Sequence, residues 1–371
     1  MLIDIISGAR PNFMKIAPII AAIEIEKKNG KKIDYRLIHT GQHYDKKMSG
    51  NFFEQLNIPE PDINLGAGGG SQAEQTAAIM IAYEKVLMQQ KPDLVLVVGD
   101  VTSTMACSIT AKKLNNIKVA HVEAGIRSGD LTMPEEINRM VTDAITDYFF
   151  TTTETANESL RKIGVEEDRI FFVGNTMIDT LIKNRPRFIK PSIWNTLSLK
   201  KGHYIVMTLH RPANVDQEAK LTELIREIID NSEDLPLIFP VHPRTAKILE
   251  EISINDPRLH MIEPLGYLEF NYLVERAKAV VTDSGGITEE TTVMGIPCMT
   301  LRDNTERPET ITVGTNELLG TDPKAIKPAM EKLFSGGWKK GSIPELWDGK
   351  TAERIVENLL IIDGYKSFDD K

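Results

Sequence analysis

The chain alternates between short apolar runs and longer segments in which apolar residues recur every three or four positions. The runs are rich in Val, Ile and Leu and are bounded by turn residues, which predicts strands buried on both faces. The longer segments predict amphipathic helices, for example over 15–28, 72–89 and 135–146. Regular alternation of this kind predicts parallel βαβ units and an α/β fold.

The predicted strands form two series, separated by a stretch with no clear strand at 185–202. Prolines and mixed charge in that stretch favour an interdomain connection. The first series is predicted at 2–7, 35–40, 94–98, 119–123, 148–152 and 169–173, and the second at 204–209, 237–241, 260–263, 279–282 and 297–301. We therefore expect two Rossmann-like, doubly wound domains that face a cleft, the first over 1–185 and the second over 186–350.

Composition and charge narrow the class of protein. A length of 371 residues suits two domains, and the formal net charge of −9, with no basic stripe, argues against a nucleic-acid partner. No apolar stretch approaches the roughly 18 residues that a membrane span needs, and no targeting segment is visible, so we expect a soluble, cytoplasmic protein. Cys107 and Cys298 stand in apolar contexts and are expected to be buried structural thiols.

Acids stand where two of the most apolar runs end. DLVLVVGD ends at Asp100, and KVAHVEAG carries Glu123 two residues before its end. Ligands of open α/β sheets bind at the carboxyl ends of the strands, so these acids predict the active site. After the first strand, SGARPNFMK offers Arg10 and Lys15 as a cationic grip on a ligand, although a lysine that opens a helix is usually solvated.

The segment TDSGGITEE (282–290) predicts an anion-binding turn. A strand ends and a helix begins at once, so unpaired N–H groups are available, and Gly285 and Gly286 allow close approach of an anion. Glu290, one turn later, is placed to accept hydrogen bonds from two ribose hydroxyls. The alternative is that Ser284 is an ordinary helix N-cap.

Further cationic and titratable residues follow other strands of the second series. Arg307 is suited to bidentate phosphate binding, but a surface ion pair with a neighbouring glutamate is the alternative. His210 and His242 each end an apolar run; one such histidine is usually structural, whereas two at equivalent positions favour catalysis and substrate binding. Their spacing matches no tight metal-ligand pattern such as HExxH, so no metal site is predicted.

Two other segments are less specific. GAGGGS (66–71) resembles a phosphate loop, but no strand is predicted before it, so we interpret it as a flexible loop. Glu135 and Glu136 follow Pro134 at a helix start, where acids ordinarily interact with the helix dipole. Only the closeness of GIRSGDLTMPEE to Glu123 suggests that one of them enters the site. The chain contains neither GxGxxG nor GxxxxGK[ST], which argues against dehydrogenases and P-loop enzymes.

Taken in order, several motifs resemble the non-hydrolysing UDP-N-acetylglucosamine 2-epimerases, from residue 3 to about residue 320. They are GARPNFMKIAP, TGQHYD, GDVTST, HVEAGIRSGD, MPEEINR, GNTMIDTL, LHRPANVD, TDSGGITEE and RDNTERPE. The resemblance implies a glycosyltransferase-B-like fold whose last helix, about 351–368, returns to the first domain. It also implies interconversion of UDP-GlcNAc and UDP-ManNAc for cell-surface polysaccharide synthesis, without metal or NAD, usually by a homodimer.

The resemblance carries roles to individual residues. The catalytic and diphosphate-facing positions are Arg10, Lys15, Asp100, Glu123, Glu135 and His210; the nucleotide grip is Ser284, Gly285, Gly286, Glu290 and Arg307; Phe270 lies where uracil is contacted. Ala213 stands where many relatives have Glu, so the resemblance does not extend to their second, allosteric UDP-GlcNAc site. Close alternatives are an epimerase of a UDP-2,3-diacetamido uronate sugar and a hydrolysing 2-epimerase. A glycosyltransferase and a sugar-nucleotide sensor are more distant alternatives.

Overall fold

The computed structural model describes residues 1–41, 53–114, 117–241, 249 and 254–369. The chain divides into two compact units, Met1–Lys183 with Glu345–Lys371, and Asn184–Pro344. Each unit is built on one parallel sheet with helices between its strands. The predicted α/β class with two parallel sheets is therefore confirmed.

The sheet of the first unit has seven strands in the order β3-β2-β1-β4-β5-β6-β7, and all neighbouring strands are parallel. The strands are β1 (Leu2–Ser7), β2 (Asp34–His39), β3 (Ile63–Asn64), β4 (Leu94–Val98), β5 (Lys118–Val122), β6 (Tyr148–Thr151) and β7 (Ile170–Phe172). All five residues of β4 are buried, as expected for a central parallel strand. The strand order reverses between β1 and β4, and such a reversal opens a crevice at the carboxyl ends.

The helices of the first unit are α1 (Arg10–Lys28), α2 (Gln72–Gln89), α3 (Thr102–Lys113), α4 (Pro134–Ile145), α5 (Glu154–Lys162), α6 (Thr176–Asn184) and, numbered last along the chain, α14 (Thr351–Asp369). Helix α1 begins five residues before the predicted start at Lys15. Pro11 suits the first turn, and the Asn12 Oδ1 accepts the N–H groups of Gly8 and Ala9 at 3.0 and 2.9 Å. Lys15 therefore lies in the second turn and does not open the helix.

The interpretation of GAGGGS also needs correction, because the two-residue strand β3 ends one residue before Leu65, which adjoins this loop. So short an edge strand leaves no apolar pattern to recognise. The end of the loop starts a helix: the Ser71 hydroxyl accepts the N–H of Glu74 at 3.2 Å, and the Glu74 carboxylate accepts the N–H of Ser71 at 2.8 Å. The last residue of GAGGGS is thus half of a capping box for α2.

The sheet of the second unit has six parallel strands in the order β10-β9-β8-β11-β12-β13. They are β8 (Ile205–Thr208), β9 (Leu237–Pro240), β10 (Leu259–Ile262), β11 (Ala279–Thr282), β12 (Cys298–Thr300) and β13 (Asn316–Leu318). The helices are α7 (Ser192–Thr196), α8 (Pro212–Val215), α9 (Glu218–Asp230), α10 (Tyr267–Val274), α11 (Gly285–Met294), α12 (Pro308–Thr312) and α13 (Ile326–Phe334). Alternate residues of β8 enter different cores, with Ile205 and Met207 on one face and Val206 on the other.

Both cysteines are buried and neither forms a disulfide, in agreement with the prediction. Burial raises the pKa of the Cys298 thiol to about 12 and that of Cys107 well above its usual value. Across the described part of the chain, no helix combines the length and apolarity that crossing a bilayer requires.

Asp179 on α6 fixes the start of the last helix, α14. Its two carboxylate oxygens accept the N–H groups of Thr351 at 3.1 Å and Ala352 at 2.7 Å, which are otherwise unsatisfied at a helix N-terminus. Just before α14, the buried Trp347 indole donates to the carbonyl of Thr152 at 3.2 Å. Burial raises the pKa of Asp179 to about 6.

This pKa predicts a pH dependence that Asp179→Asn removes. The folded pKa of about 6 exceeds the ordinary value of 3.8, so the contribution of Asp179 to stability is full below pH 4 and is lost as the pH rises through 6. The difference corresponds to about 3 kcal/mol. Melting temperatures between pH 4 and 7 should show the wild type losing stability relative to Asp179→Asn. Asp168→Asn, at an exposed acid of the same unit, should follow the wild type; parallel curves for Asp179→Asn and the wild type would contradict the assignment.

Candidate active site

Strands β4 and β5 bring Asp100 and Glu123 to the carboxyl edge of the first sheet. Asp100 stands two residues past β4, and Glu123 follows β5 directly in a left-handed conformation with φ of 69°. Gly99, between β4 and Asp100, also has a positive φ of 67°. A Cβ at Gly99 would lie 2.7 Å from the Lys15 Nζ, so this position needs glycine both for its backbone and for the space it leaves.

Lys15 and Glu123 form a buried ion pair. The Lys15 Nζ donates to the Glu123 Oε2 at 2.6 Å, and the two residues are only 7% and 3% exposed. The alternative of a solvated lysine is therefore wrong. The ammonium group and the carboxylate face each other at the edge of the sheet where the sequence predicts chemistry.

Asp100 is held by helix α4. The Arg139 Nη1 donates to the Asp100 Oδ2, and the Asn138 Nδ2 donates to the Asp100 carbonyl at 2.8 Å. Arg139 is almost fully buried, whereas the Asp100 side chain is 29% exposed and accessible to a ligand. Sequence reasoning missed Arg139, although the spacing of Glu136 and Arg139 by three residues on a helix was a signal.

Glu135 and Glu136 differ in their surroundings. Glu136 is buried and accepts hydrogen bonds from the Ser128 and Gly129 N–H groups, at 3.0 and 3.1 Å, and from Arg139. Burial alone would raise the pKa of Glu136, but these bonds hold it below its usual value. Glu136 therefore closes the loop before α4, while Glu135, the predicted catalytic residue, is partly exposed in the first turn of α4.

In the second unit, Asp283 orients His210. The His210 Nδ1 lies 2.7 Å from the Asp283 Oδ1, and the N–H groups of His210 and Arg211 donate to the Asp283 Oδ2 at 3.0 and 2.9 Å. Burial would raise the pKa of Asp283, but the contacts with His210 hold it below its usual value. Asp283 is fully buried while the His210 side chain is 58% exposed, so the pair presents the Nε2 of a fixed imidazole. The sequence analysis did not single out Asp283, although its place between β11 and the glycines at 285 and 286 was a signal.

The predicted anion-binding turn lies at the start of α11. Ser284 occupies the N-cap position, as the alternative interpretation expects, but its hydroxyl makes no capping hydrogen bond. Gly285 and Gly286 begin the helix, where N–H groups lack helical partners. Nearby, the Arg302 Nη2 donates to Glu306 at 2.6 Å, and a Cβ on Gly285 would lie 3.1 Å from the Glu306 Oε1.

Arg307 and Glu290 are both buried. The Arg307 Nε donates to the Glu289 Oε1 at 2.5 Å, so the alternative of a surface ion pair is wrong. Glu290 accepts a hydrogen bond from the Tyr267 hydroxyl at 2.8 Å, and burial raises its pKa to about 7. Phe270 lies on α10 with Tyr267 and is partly buried in the same unit.

Some predicted site residues lie outside the part of the chain that the structure describes. His242 and the last four residues of the motif TGQHYD are not among the described residues, and of Arg10 only its place at the start of α1 is described. Among the described residues, no group of three or more His, Cys, Asp or Glu side chains is arranged to hold a metal ion.

Comparison with known proteins decides the family. The family model described as UDP-N-acetylglucosamine 2-epimerase matches residues 24–360. The chain belongs to the UDP-N-acetylglucosamine 2-epimerase family. The resemblance inferred from the motifs is thereby confirmed.

Individual proteins are similar to this chain over most of its length. The UDP-N-acetylglucosamine 2-epimerase of Methanocaldococcus jannaschii is 43% identical over 97% of this chain and 99% of its own. Its crystal structure in complex with UDP-GlcNAc and UDP has a TM-score of 0.85, with coverage of 97% and 99%. The UDP-2,3-diacetamido-2,3-dideoxy-D-glucuronate 2-epimerase of Pseudomonas aeruginosa is 39% identical over 86% of this chain and 88% of its own.

Proposed function

We propose that the protein interconverts UDP-GlcNAc and UDP-ManNAc by inverting C2 of the sugar, through elimination of UDP and its re-addition. The observation that carries the proposal is the pair of acids at adjacent strand ends, Asp100 beside Arg139 and Glu123 beside Lys15. Similar proteins are named UDP-N-acetylglucosamine 2-epimerases, and one of them was solved with UDP-GlcNAc and UDP.

The chemistry explains why acids are needed. The C2 proton of the sugar is not adjacent to a carbonyl, so its direct removal would leave an unstabilised carbanion. Breaking the C1–O bond to UDP, before or together with proton loss, gives 2-acetamidoglucal and bound UDP. Returning a proton to the opposite face of C2 and UDP to C1 gives the epimer. Two acid/base groups serve the two faces, and cationic groups stabilise the departing diphosphate.

The second unit is suited to hold the nucleotide. The N–H groups at the start of α11 and the guanidinium of Arg307 favour phosphate oxygens. Glu290 and Phe270 are proposed contacts for ribose and uracil. The oriented imidazole of His210 is proposed to stabilise the leaving diphosphate, and Asp100, Glu123 and Glu135 are proposed to handle the protons of the sugar.

Solvent isotope incorporation tests the elimination route. During turnover of UDP-GlcNAc in D₂O, deuterium should appear at C2 of both UDP-ManNAc and the recovered UDP-GlcNAc, because the C2 proton is lost and replaced at each cycle. NMR of the sugar products is the measurement. Epimerisation without deuterium would contradict the mechanism.

The same experiment separates the alternatives. Free ManNAc and UDP would indicate the hydrolysing reaction, and binding without any product would indicate a sensor. Turnover of a UDP-2,3-diacetamido uronate sugar in preference to UDP-GlcNAc would indicate the activity named for the 39% identical relative.

Amide substitutions test the two acids. Asp100→Asn and Glu123→Gln keep the size of each side chain but remove its ability to take a proton, so kcat should fall by at least about 100-fold. The affinity for UDP, measured by calorimetry, should change by less than about threefold, because neither acid is among the proposed nucleotide contacts. Glu136→Gln, at a buried acid of the same unit, should lower the melting temperature, and its kcat should fall far less than that of the other two variants. Loss of UDP affinity with unchanged kcat would contradict the acid/base role.

We extend the proposal to a cytoplasmic homodimer, the state that the resemblance implies. An apolar groove of about 520 Å³ on the first unit, lined by residues of α2, α3 and α4, fits the contact with a second copy. Ile81 on α2 and Ile137 and Met140 on α4 are 58%, 43% and 44% exposed. Exposed apolar side chains on adjacent helices are typical of a protein interface.

Charge placed in this groove should separate the dimer. Size exclusion with light scattering should give the wild type a mass of about twice the chain mass of 41.5 kDa. The Ile137→Glu variant should give the mass of one chain. Met261→Glu on β10, where the native side chain is equally exposed at 43%, should remain dimeric. A monomeric wild type would contradict the homodimer, and a dimeric Ile137→Glu would contradict the location.

A further inference from the structure

A buried pair of side chains adjoins both loops that carry the acids, and the mechanism above assigns it no role. His121 on β5 and Asp143 on α4 have fully buried side chains, and the His121 Nδ1 lies 2.7 Å from the Asp143 Oδ1. The His121 Nε2 lies 2.8 Å from the carbonyl oxygen of Gly99. We call this arrangement the His121–Asp143 pair.

Both partners of the imidazole accept hydrogen bonds and neither donates. The Gly99 carbonyl has no proton, and the Asp143 carboxylate has none when ionised. The Asp143 Oδ2 accepts the Gly125 N–H and lies beside the Arg127 guanidinium, two contacts that favour the ionised carboxylate. An imidazole with a single N–H satisfies only one of the two contacts. The geometry therefore points to an imidazolium at His121, which donates to both partners.

The second oxygen of Asp143 contacts the loop that follows Glu123. The Gly125 N–H donates to the Asp143 Oδ2 at 3.1 Å, and the Arg127 Nη1 lies 2.7 Å from the same oxygen. Gly99 directly precedes Asp100, and Gly125 stands two residues after Glu123. The His121–Asp143 pair thus connects the backbones of the two acid-bearing loops.

We propose that the His121–Asp143 pair is a positioning device that sets the separation of Asp100 and Glu123, by joining the Gly99 carbonyl to the Gly125 N–H through an imidazolium and a carboxylate. The proposal rests on the proposed epimerase function. Neither side chain is a catalytic residue in this proposal, because both act through the loops. A displacement of about 1 Å in a reacting group can lower a rate by roughly 100-fold, so such a device affects kcat.

Two substitutions of His121 each retain one of its two hydrogen bonds and remove the other. The amide N–H of His121→Gln reaches the position of Nε2 and retains the bond to Gly99, whereas that of His121→Asn reaches the position of Nδ1 and retains the bond to Asp143. We expect His121→Asn to lower kcat by more than about tenfold and His121→Gln to lower it less, because the Gly99 contact holds Asp100. UDP affinity should change by less than about twofold in both variants.

Asp4→Asn is the matched control. Asp4 on β1 is also fully buried in the first unit and accepts hydrogen bonds from the Arg36 Nε at 2.7 Å and the Tyr83 hydroxyl at 2.9 Å. Its loss should lower the melting temperature and leave kcat of the folded enzyme unchanged. Equal kcat for the two His121 variants, or an equal loss of kcat in Asp4→Asn, would overturn the positioning role.

Nitrogen NMR of the wild type, with labelled histidine, tests the imidazolium without turnover. The His121 ring, assigned by its absence from the spectrum of a His121 variant or by its protection from exchange, should show two protonated nitrogens. A ring with one unprotonated nitrogen overturns the proposal, and this result is available even where a His121 variant fails to fold. A wild type with two protonated nitrogens but no epimerase activity would instead contradict the proposed function.

Discussion

The buried contact between Lys15 and Glu123 constrains much of the first unit. Removing one partner of such a pair leaves an uncompensated charge at a cost of about 3–5 kcal/mol, so the surrounding chain must hold both groups in place. Lys15 reaches Glu123 because α1 begins early, at Arg10. The ammonium group has space because Gly99 lacks a Cβ. The start of α1 and the glycine at position 99 thus both contribute to the placement of the Lys15–Glu123 ion pair.

Helix α4 holds Asp100 and the loop that follows Glu123. Asn138 and Arg139 hold Asp100, and one turn later Asp143 contacts the loop after Glu123. Because these residues share one helix, the two acid-bearing loops are fixed to a common rigid element. The proposed chemistry requires such rigidity, since two groups must address opposite faces of one carbon atom.

Local sequence patterns predicted several strands well, but they did not predict which side chains contact one another. Strands β1, β4 and β11 begin and end as predicted because buried parallel strands are continuous apolar runs. Asp100, Glu123 and His210 were selected as candidates because each lies within two residues of the end of such a strand. Arg139 and Asp283 were missed because their roles depend on contacts with residues 39 and 73 positions away. Lys15 was misplaced because the hydrogen bonds of Asn12, which set the helix start, leave no periodic signal.

The paired charges also bear on substrate choice between the two activities named for similar proteins. Both kinds of substrate carry UDP, so contacts with the nucleotide do not distinguish them. A uronate sugar would bring an additional carboxylate to the acids of the first unit. The described cations beside those acids, Lys15 and Arg139, are each already bound to a carboxylate, and a further one would compete with Glu123 or Asp100. UDP-GlcNAc adds no charge to the sugar, so in the proposed reaction its binding leaves both pairs intact.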